Sequence, residues 1–158
     1  MSLEELEARI RVLEDIEEIK KLMASYCYLI DTSQWDDVVG LFAENARAEY
    51  GPLGSYEGED GIATFFKDVV PNTQSWSAHQ VLNSIVTVEG KKAKGTWYLF
   101  CPISIRSPEG DRAVWIQGRY DNEFVKMGGR WKFSLLRFVF NFGTPYEEGW
   151  VKSRMPEA

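Results

Sequence analysis

The period of the hydrophobic pattern changes once along this chain, near residue 75, and that change limits the fold more than any other feature. Before it, apolar residues recur at helical spacing: Leu3, Leu6, Ile10 and Leu13, then Ile16, Ile19, Leu22, Met23 and Tyr26. After it come four extended runs, at about 76–88, 94–106, 112–126 and 130–142. The turns between them, EGKK, SPEGD and MGGR, each carry the Gly or Pro that a hairpin needs. Helices followed by an antiparallel meander predict an α+β domain in which a sheet curls around the helices.

In the helical half, LEELEARIRVL (3–13) reads as an amphipathic arm that packs on the domain or on a partner subunit. Asp15 followed by Glu18 resembles a capping box and predicts a second helix from there to about Asp31. A short helix from about Trp35 to Phe42 and a strand in ARAEYG follow. GPLGSYEGEDG (51–61) is a turn-rich loop, and a helix in IATFFKDVV is expected to stop at Pro71. There is no repeat and no linker, so the expected division is an arm (1–14), one domain (15–146) and a tail (147–158).

Composition narrows the function classes. The 158 residues are 44% hydrophobic, enough for one core with room for a pocket, and 14% aromatic, enough to wall it. With 24 acidic against 18 basic side chains and a net charge of −6, the chain gains little from phosphate counterions, which excludes nucleic acid as an expected partner. The basic cluster KKAK at 91–94 reads as a solvated hairpin turn. Cys27 and Cys101 form no CxxC pair, no signal peptide precedes the acidic N-terminus, and no apolar run would span a bilayer. The expected setting is reduced and cytoplasmic, with no membrane contact. A single histidine excludes a multi-imidazole zinc site, and GxGxxG and GxxxxGK[ST] are absent. Chemistry is expected from ordinary side chains, with no metal and no cofactor.

Two residues stand out. In SYCYLIDTSQWDDV, Asp31 follows Tyr28 at i−3 and Cys27 at i−4 on one helix face, with Tyr26 further round. Asp31 either caps the Thr32–Ser33 turn or faces a pocket. His79 lies near the beginning of the first extended run, where alternation groups it with Val81, Asn83 and Ile85. It is either a hydrogen-bonded core residue or a general base, and a carboxylate partner would fix its tautomer. Candidate pocket walls are Tyr28, Tyr50, the alternating set Trp97, Leu99 and Cys101, and the set Leu136, Phe138 and Phe140. Arg137 has the opposite parity and reads better as a snorkelling surface residue than as a buried cation. Tyr98, Phe100 and Trp131 are candidates for an apolar outer face.

The opening IEEIKKLMASYCYLID…W and the ending GRYDNEFVKMGGRWKFSLLRF…NFGTPY resemble the SnoaL-like branch of the nuclear-transport-factor-2-like superfamily, over about residues 15–146. The resemblance implies a cone-shaped curved antiparallel sheet packed on N-terminal helices around one deep pocket. It also implies an Asp–His dyad, falling on Asp31 and His79, and a dehydratase tyrosine on Tyr26. Departures accompany it. Cys101 stands where a dehydratase of the branch has its second acid, and Phe140 where it has an arginine. The dehydrochlorinase arginine falls on Leu136, and only a β-bulge would bring Arg137 into that role. The implied activity is that of a cofactor-independent lyase or isomerase of dehydratase, dehydrohalogenase or ketosteroid-isomerase type. It would abstract a proton from a small apolar or ring substrate, with either His79 or Asp31 as base. The alternative is a non-catalytic ligand-binding or scaffold domain, such as a dioxygenase β-subunit-like protein. Relatives imply a homo-oligomer, a trimer first and a dimer second.

Overall fold

A computed structural model describes residues 1–153. Helix α1 (Leu3–Asp31) is one uninterrupted rod, not an arm followed by a second helix. The capping box is at its true start, where Ser2 and Glu5 exchange side-chain and backbone hydrogen bonds. Asp15 does not cap. Its carboxylate accepts from Lys126 Nζ at 2.5 Å and Trp131 Nε1 at 2.8 Å, so nothing interrupts the helix there. The expected arm is thus the exposed first half of α1. Burial begins in earnest at Ile19 and continues through Met23, Tyr26, Cys27 and Ile30, at spacings of three and four.

Helix α2 (Trp35–Gly40) leads into β1 (Phe42–Glu49), a 3-10 turn at Gly51–Leu53 and β2 (Ser55–Glu57). Helix α3 (Gly58–Thr64) widens into a π turn (Phe65–Val69) and closes with α4 (Val70–Thr73). Pro71 therefore does not end the helical stretch. It sits in the first turn of α4, where a missing N–H is tolerated.

The remaining strands are β3 (Gln74–Ser77), β4 (Gln80–Glu89), β5 (Lys92–Ile105), β6 (Arg112–Met127) and β7 (Arg130–Pro145), followed by α5 (Gly149–Lys152). The sheet order is β2-β1-β7-β6-β5-β3, with β4 also on β5, and the sheet curves strongly into a cone against α1. The meander β4–β7 is antiparallel, as expected. However, β1 runs parallel to β7, so the sheet is mixed: no hairpin joins these two strands to impose opposite directions. The first extended run also divides. β3 and β4 pair successive stretches of the same edge of β5 and are interrupted at Ala78–His79.

Register shifts aim the core. Glu123 faces Leu135 while Phe124 faces Phe133, which gives β7 one extra residue at Ser134. Phe133 and Leu136 are consequently both buried although three apart, and Asn122 Oδ1 accepts the Arg137 backbone N–H at 3.2 Å. At Gly118 a Cβ would lie 2.5 Å from the Phe138 ring, so the glycine makes space for that ring inside the cone. Trp131 is not on the outer face: it is buried, because its indole reaches Asp15. Among the described residues no helix is long and apolar enough to cross a membrane.

Candidate active site

The end of α1 is completed without Asp31. Thr32 donates from both its backbone N–H and its hydroxyl to the Tyr28 carbonyl, and Ser33 turns the chain at φ 58°. The Asp31 carboxylate is free to point across to the sheet, where it accepts three hydrogen bonds from the β3–β4 region. Ser77 Oγ reaches Oδ1 at 2.9 Å, the His79 backbone N–H reaches Oδ2 at 2.8 Å, and His79 Nδ1 lies 2.6 Å from Oδ1.

The break in the strand is what presents His79. Ser77 faces Ile103 and Gln80 faces Phe100, so the continuing register sets His79 opposite Cys101, and the Ala78 N–H holds the Pro102 carbonyl at 3.1 Å. The His79 N–H, released from the ladder, goes to Asp31 instead. Simple alternation fails beyond this point. Asn83 has φ 55° beside a register shift, and Ile85 is 70% exposed rather than on the inner face. Trp76, three residues before His79, is exposed as well.

With Nδ1 committed to Asp31, Nε2 is the nitrogen left for the cavity, where the Cys101 thiol is also a hydrogen-bonding neighbour of the ring. Burial works against a charged imidazole, but the hydrogen bond and charge of Asp31, with the Cys101 thiol close by, outweigh it and raise the His79 pKa to about 9. Burial pushes the Asp31 carboxyl up, yet the His79 ring, the His79 N–H and Ser77 together hold it below its ordinary value. Tyr26 and Tyr50 share a hydrogen bond at 3.0 Å, and the Tyr120 ring meets Tyr26 edge-on at 6.1 Å. Burial drives all three phenols well above the usual tyrosine range, so they are neutral donors.

These groups surround an inner cavity of about 80 Å³. Of the residues singled out in the sequence, Tyr26, Tyr50, His79, Leu99, Cys101, Phe138 and Phe140 line it. Asp31 stands behind His79. Tyr28 does not belong: two residues from Tyr26, it falls on the other side of α1 and is 74% exposed. Trp97 and Leu136 are buried but lie outside the cavity lining. The Trp97 indole packs edge-on against Phe124, over Gly95, where a Cβ would meet it at 2.4 Å. Arg137 stays outside in spite of the bulge, because the extra residue precedes Leu136 and leaves Arg137 paired with Glu49 at 2.5 Å. Sequence reasoning missed Tyr120, Ile30, Phe65, Phe66, Ile103 and Ile116 on the cavity wall. Two of these carried a signal in the sequence, Ile30 one helical turn after Tyr26 and Ile103 in step with Cys101 on β5; Tyr120 and Ile116 follow only from the register of β6 on β5. The inner cavity shares Leu53, Thr73, Gln74, Ile103, Ile116 and Phe140 with an outer cavity of about 570 Å³.

A helix-borne carboxylate holding an imidazole at a strand break inside a cone can be compared with known proteins. Residues 11–137 match the SnoaL-like domain. The chain belongs to the SnoaL-like family. An uncharacterised protein of Mycobacterium tuberculosis is 29% identical to this SnoaL-like chain over 122 residues, covering 73% of it and 78% of the relative. Hexachlorocyclohexane dehydrochlorinase 1 of Sphingobium indicum is 23% identical over 128 residues, 80% of this chain and 82% of that enzyme. The crystal structure of a type 2 hexachlorocyclohexane dehydrochlorinase superimposes with a TM-score of 0.79 at 22% identity, covering 92% of this chain and 97% of that one. At that identity the likeness establishes the SnoaL-like cone and no more.

Proposed function

We propose that this protein is a cofactor-independent lyase or isomerase that removes a proton from carbon in a small, largely apolar substrate. The observation that carries the reading is the 2.6 Å contact between Asp31 Oδ1 and His79 Nδ1 beside an apolar cavity. His79 Nε2 takes the proton, and Asp31 holds the ring in the tautomer that leaves Nε2 unprotonated and stabilises the imidazolium that forms. Asp31 itself is a poor base here, since three donors already occupy its oxygens. The Tyr26 hydroxyl is hydrogen-bonded to Tyr50 and also engages the Tyr120 hydroxyl, so of the three phenol protons one, at an end of this chain, is left to hydrogen-bond a leaving hydroxyl, a halide or an enolate oxygen. A positioned base contributes about 10²–10⁴-fold, and orientation between aromatic walls with water excluded supplies the rest.

The dehydrochlorinase relative gives the elimination of hydrogen halide across a C–C bond as the first reaction to try. The test is turnover of a panel of halogenated cyclohexanes and cyclic β-hydroxy ketones, followed by product mass, for the native chain, His79→Gln and Asp31→Asn. The expected result is a loss of at least about 10²-fold in His79→Gln and a smaller loss in Asp31→Asn. Full turnover by both variants overturns the reading. Self-association as a trimer belongs to the same proposal. It is supported by an apolar outer patch on β4 and β5, where Leu82 (49% exposed) pairs with Tyr98 (47% exposed) near Ile85.

A further inference from the structure

The two cavities abut and share six lining residues, which makes them the two halves of a candidate passage with His79 in one and Arg112 in the other. His79 lines the inner cavity, and among the described residues Arg112 is the only charged one lining the outer cavity. Between them the register of β5 and β6 lays out three same-facing rungs: Cys101 with Ile116 at the level of His79, Ile103 with Val114 above, and Ile105 with Arg112 at the rim. Four residues along an antiparallel strand span ~13 Å, so the Arg112 backbone lies about that far along the sheet from the level of the proposed base, with its side chain exposed at the rim. Apart from Cys101, the side chains on the rungs between are aliphatic. Among the described residues, the Arg112 side chain has no acidic partner within ion-pair distance, whereas Arg119 and Arg137 are each paired with a carboxylate.

We infer that the substrate is an elongated apolar molecule with an anionic end, a carboxylate or sulfonate, that meets Arg112 while its reacting carbon lies at His79. The inference rests on the proposed function for the identity of the reacting end; the anion end stands on the passage alone. A guanidinium recognises a carboxylate through two parallel hydrogen bonds, and at a rim that remains partly wet this sets direction and register more than raw affinity. The apolar rungs reject a second charge along the length of the ligand. A compact ring would fill the inner cavity and leave the outer one empty; a chain of about ten carbons, or fused rings of that length, occupies both.

The experiment uses the full chain and the fluorescent amine N-phenyl-1-naphthylamine as a neutral reporter of the passage. Hexanoate, decanoate and tetradecanoate, with their methyl esters, compete for it. The expected result is that decanoate displaces the reporter at a concentration about 5–10-fold lower than methyl decanoate. Arg112→Gln removes that preference without altering reporter or ester binding, and Arg112→Lys retains part of it. Hexanoate shows little preference, because it is too short to lie in the apolar passage and reach the rim together. Equal displacement by acid and ester in the native chain overturns the inference, as does an acid preference that survives in Arg112→Gln. Reporter binding only after removal of the residues beyond Lys152 also overturns it, by showing that the passage is filled by the chain itself. Failure of the enzymatic reading is distinguishable: His79→Gln would keep full turnover, while the preference for acid over ester would be unchanged.

Discussion

The Asp31 carboxylate and the His79 imidazole, 48 positions apart in sequence, meet at 2.6 Å, and the same carboxylate also takes the His79 backbone N–H at 2.8 Å. One acid thus fixes both the ring and the main chain that carries it. The second bond ties the imidazole to a strand interruption whose N–H has left the sheet ladder, so the pair is both a structural clamp and the proposed catalytic unit.

Its effects on stability and on activity should run in opposite directions with pH. The imidazole pKa rises from 6.5 to about 9 on folding, so its contribution to stability is complete below pH 6.5 and is lost as pH climbs through about 9. The Asp31 pKa falls below 3.8 on folding, so its contribution is complete above that value and is lost as pH drops beneath it. The difference in Tm between the native chain and His79→Gln is therefore expected to shrink from pH 6.5 to 9. Over the same interval kcat/KM is expected to rise, because only the unprotonated ring can accept a proton. Thermal melts and rate profiles on one buffer series check both.

Tyr26 and Tyr50 hold each other's hydroxyls in the buried wall of the inner cavity. Tyr26→Phe and Tyr50→Phe are each expected to cost about 1–2 kcal/mol in denaturant unfolding, because each strands a buried partner. The double variant should cost less than the sum, since the stranded group is then gone too. On turnover, Tyr26→Phe lowers kcat if the spare proton serves the leaving group.

Gly118 is a test of the cavity wall. An alanine there would bring its Cβ to 2.4 Å from the Val139 carbonyl oxygen as well as against Phe138. The expected cost is about 1–3 kcal/mol, with the Phe138 ring driven toward the cavity. Binding of a neutral fluorescent reporter should weaken along with stability.

Leu136 and Arg137 are adjacent and should behave oppositely. Leu136→Ala empties a fully buried site and is expected to cost about 2–5 kcal/mol. Arg137→Ala removes an exposed ion pair with Glu49 and should leave turnover unchanged. A large loss of activity in Arg137→Ala would assign that guanidinium to the site.

Solution mass should report three copies of the chain. Replacement of Tyr98 and Ile85 by Ser is expected to shift the population toward the monomer, since both side chains are exposed outside the cone. A monomeric native chain at micromolar concentration contradicts the trimer.

Much of the architecture was legible because it is written in local periodicity: the helical character of residues 3–31, the turns of the meander, and the inward parity of Leu99 with Cys101 and of Leu136 with Phe138. What escaped was set by tertiary partners. Asp15 resembled a helix start until Lys126 and Trp131 claimed its carboxylate. Pro71 resembled a stop, but a π turn delivers it to a position where it fits. Tyr28 was grouped with Asp31 by spacing, although three residues short of the helix end the two already face different surroundings. His79 and Asp31 were identifiable as candidates, and their meeting depended on a strand break that alternation alone does not reveal.

That break sets an unusual arithmetic for the gene. Because Ser77 and Gln80 are both anchored to the same neighbouring strand, with two residues spanning the gap, the count between them is locked. Substitutions can accumulate around it, but a single inserted or deleted codon would rotate the imidazole toward bulk water and disconnect it from Asp31. Variation in length should be tolerated at the SPEGD and MGGR hairpin tips and purged at this one short interval.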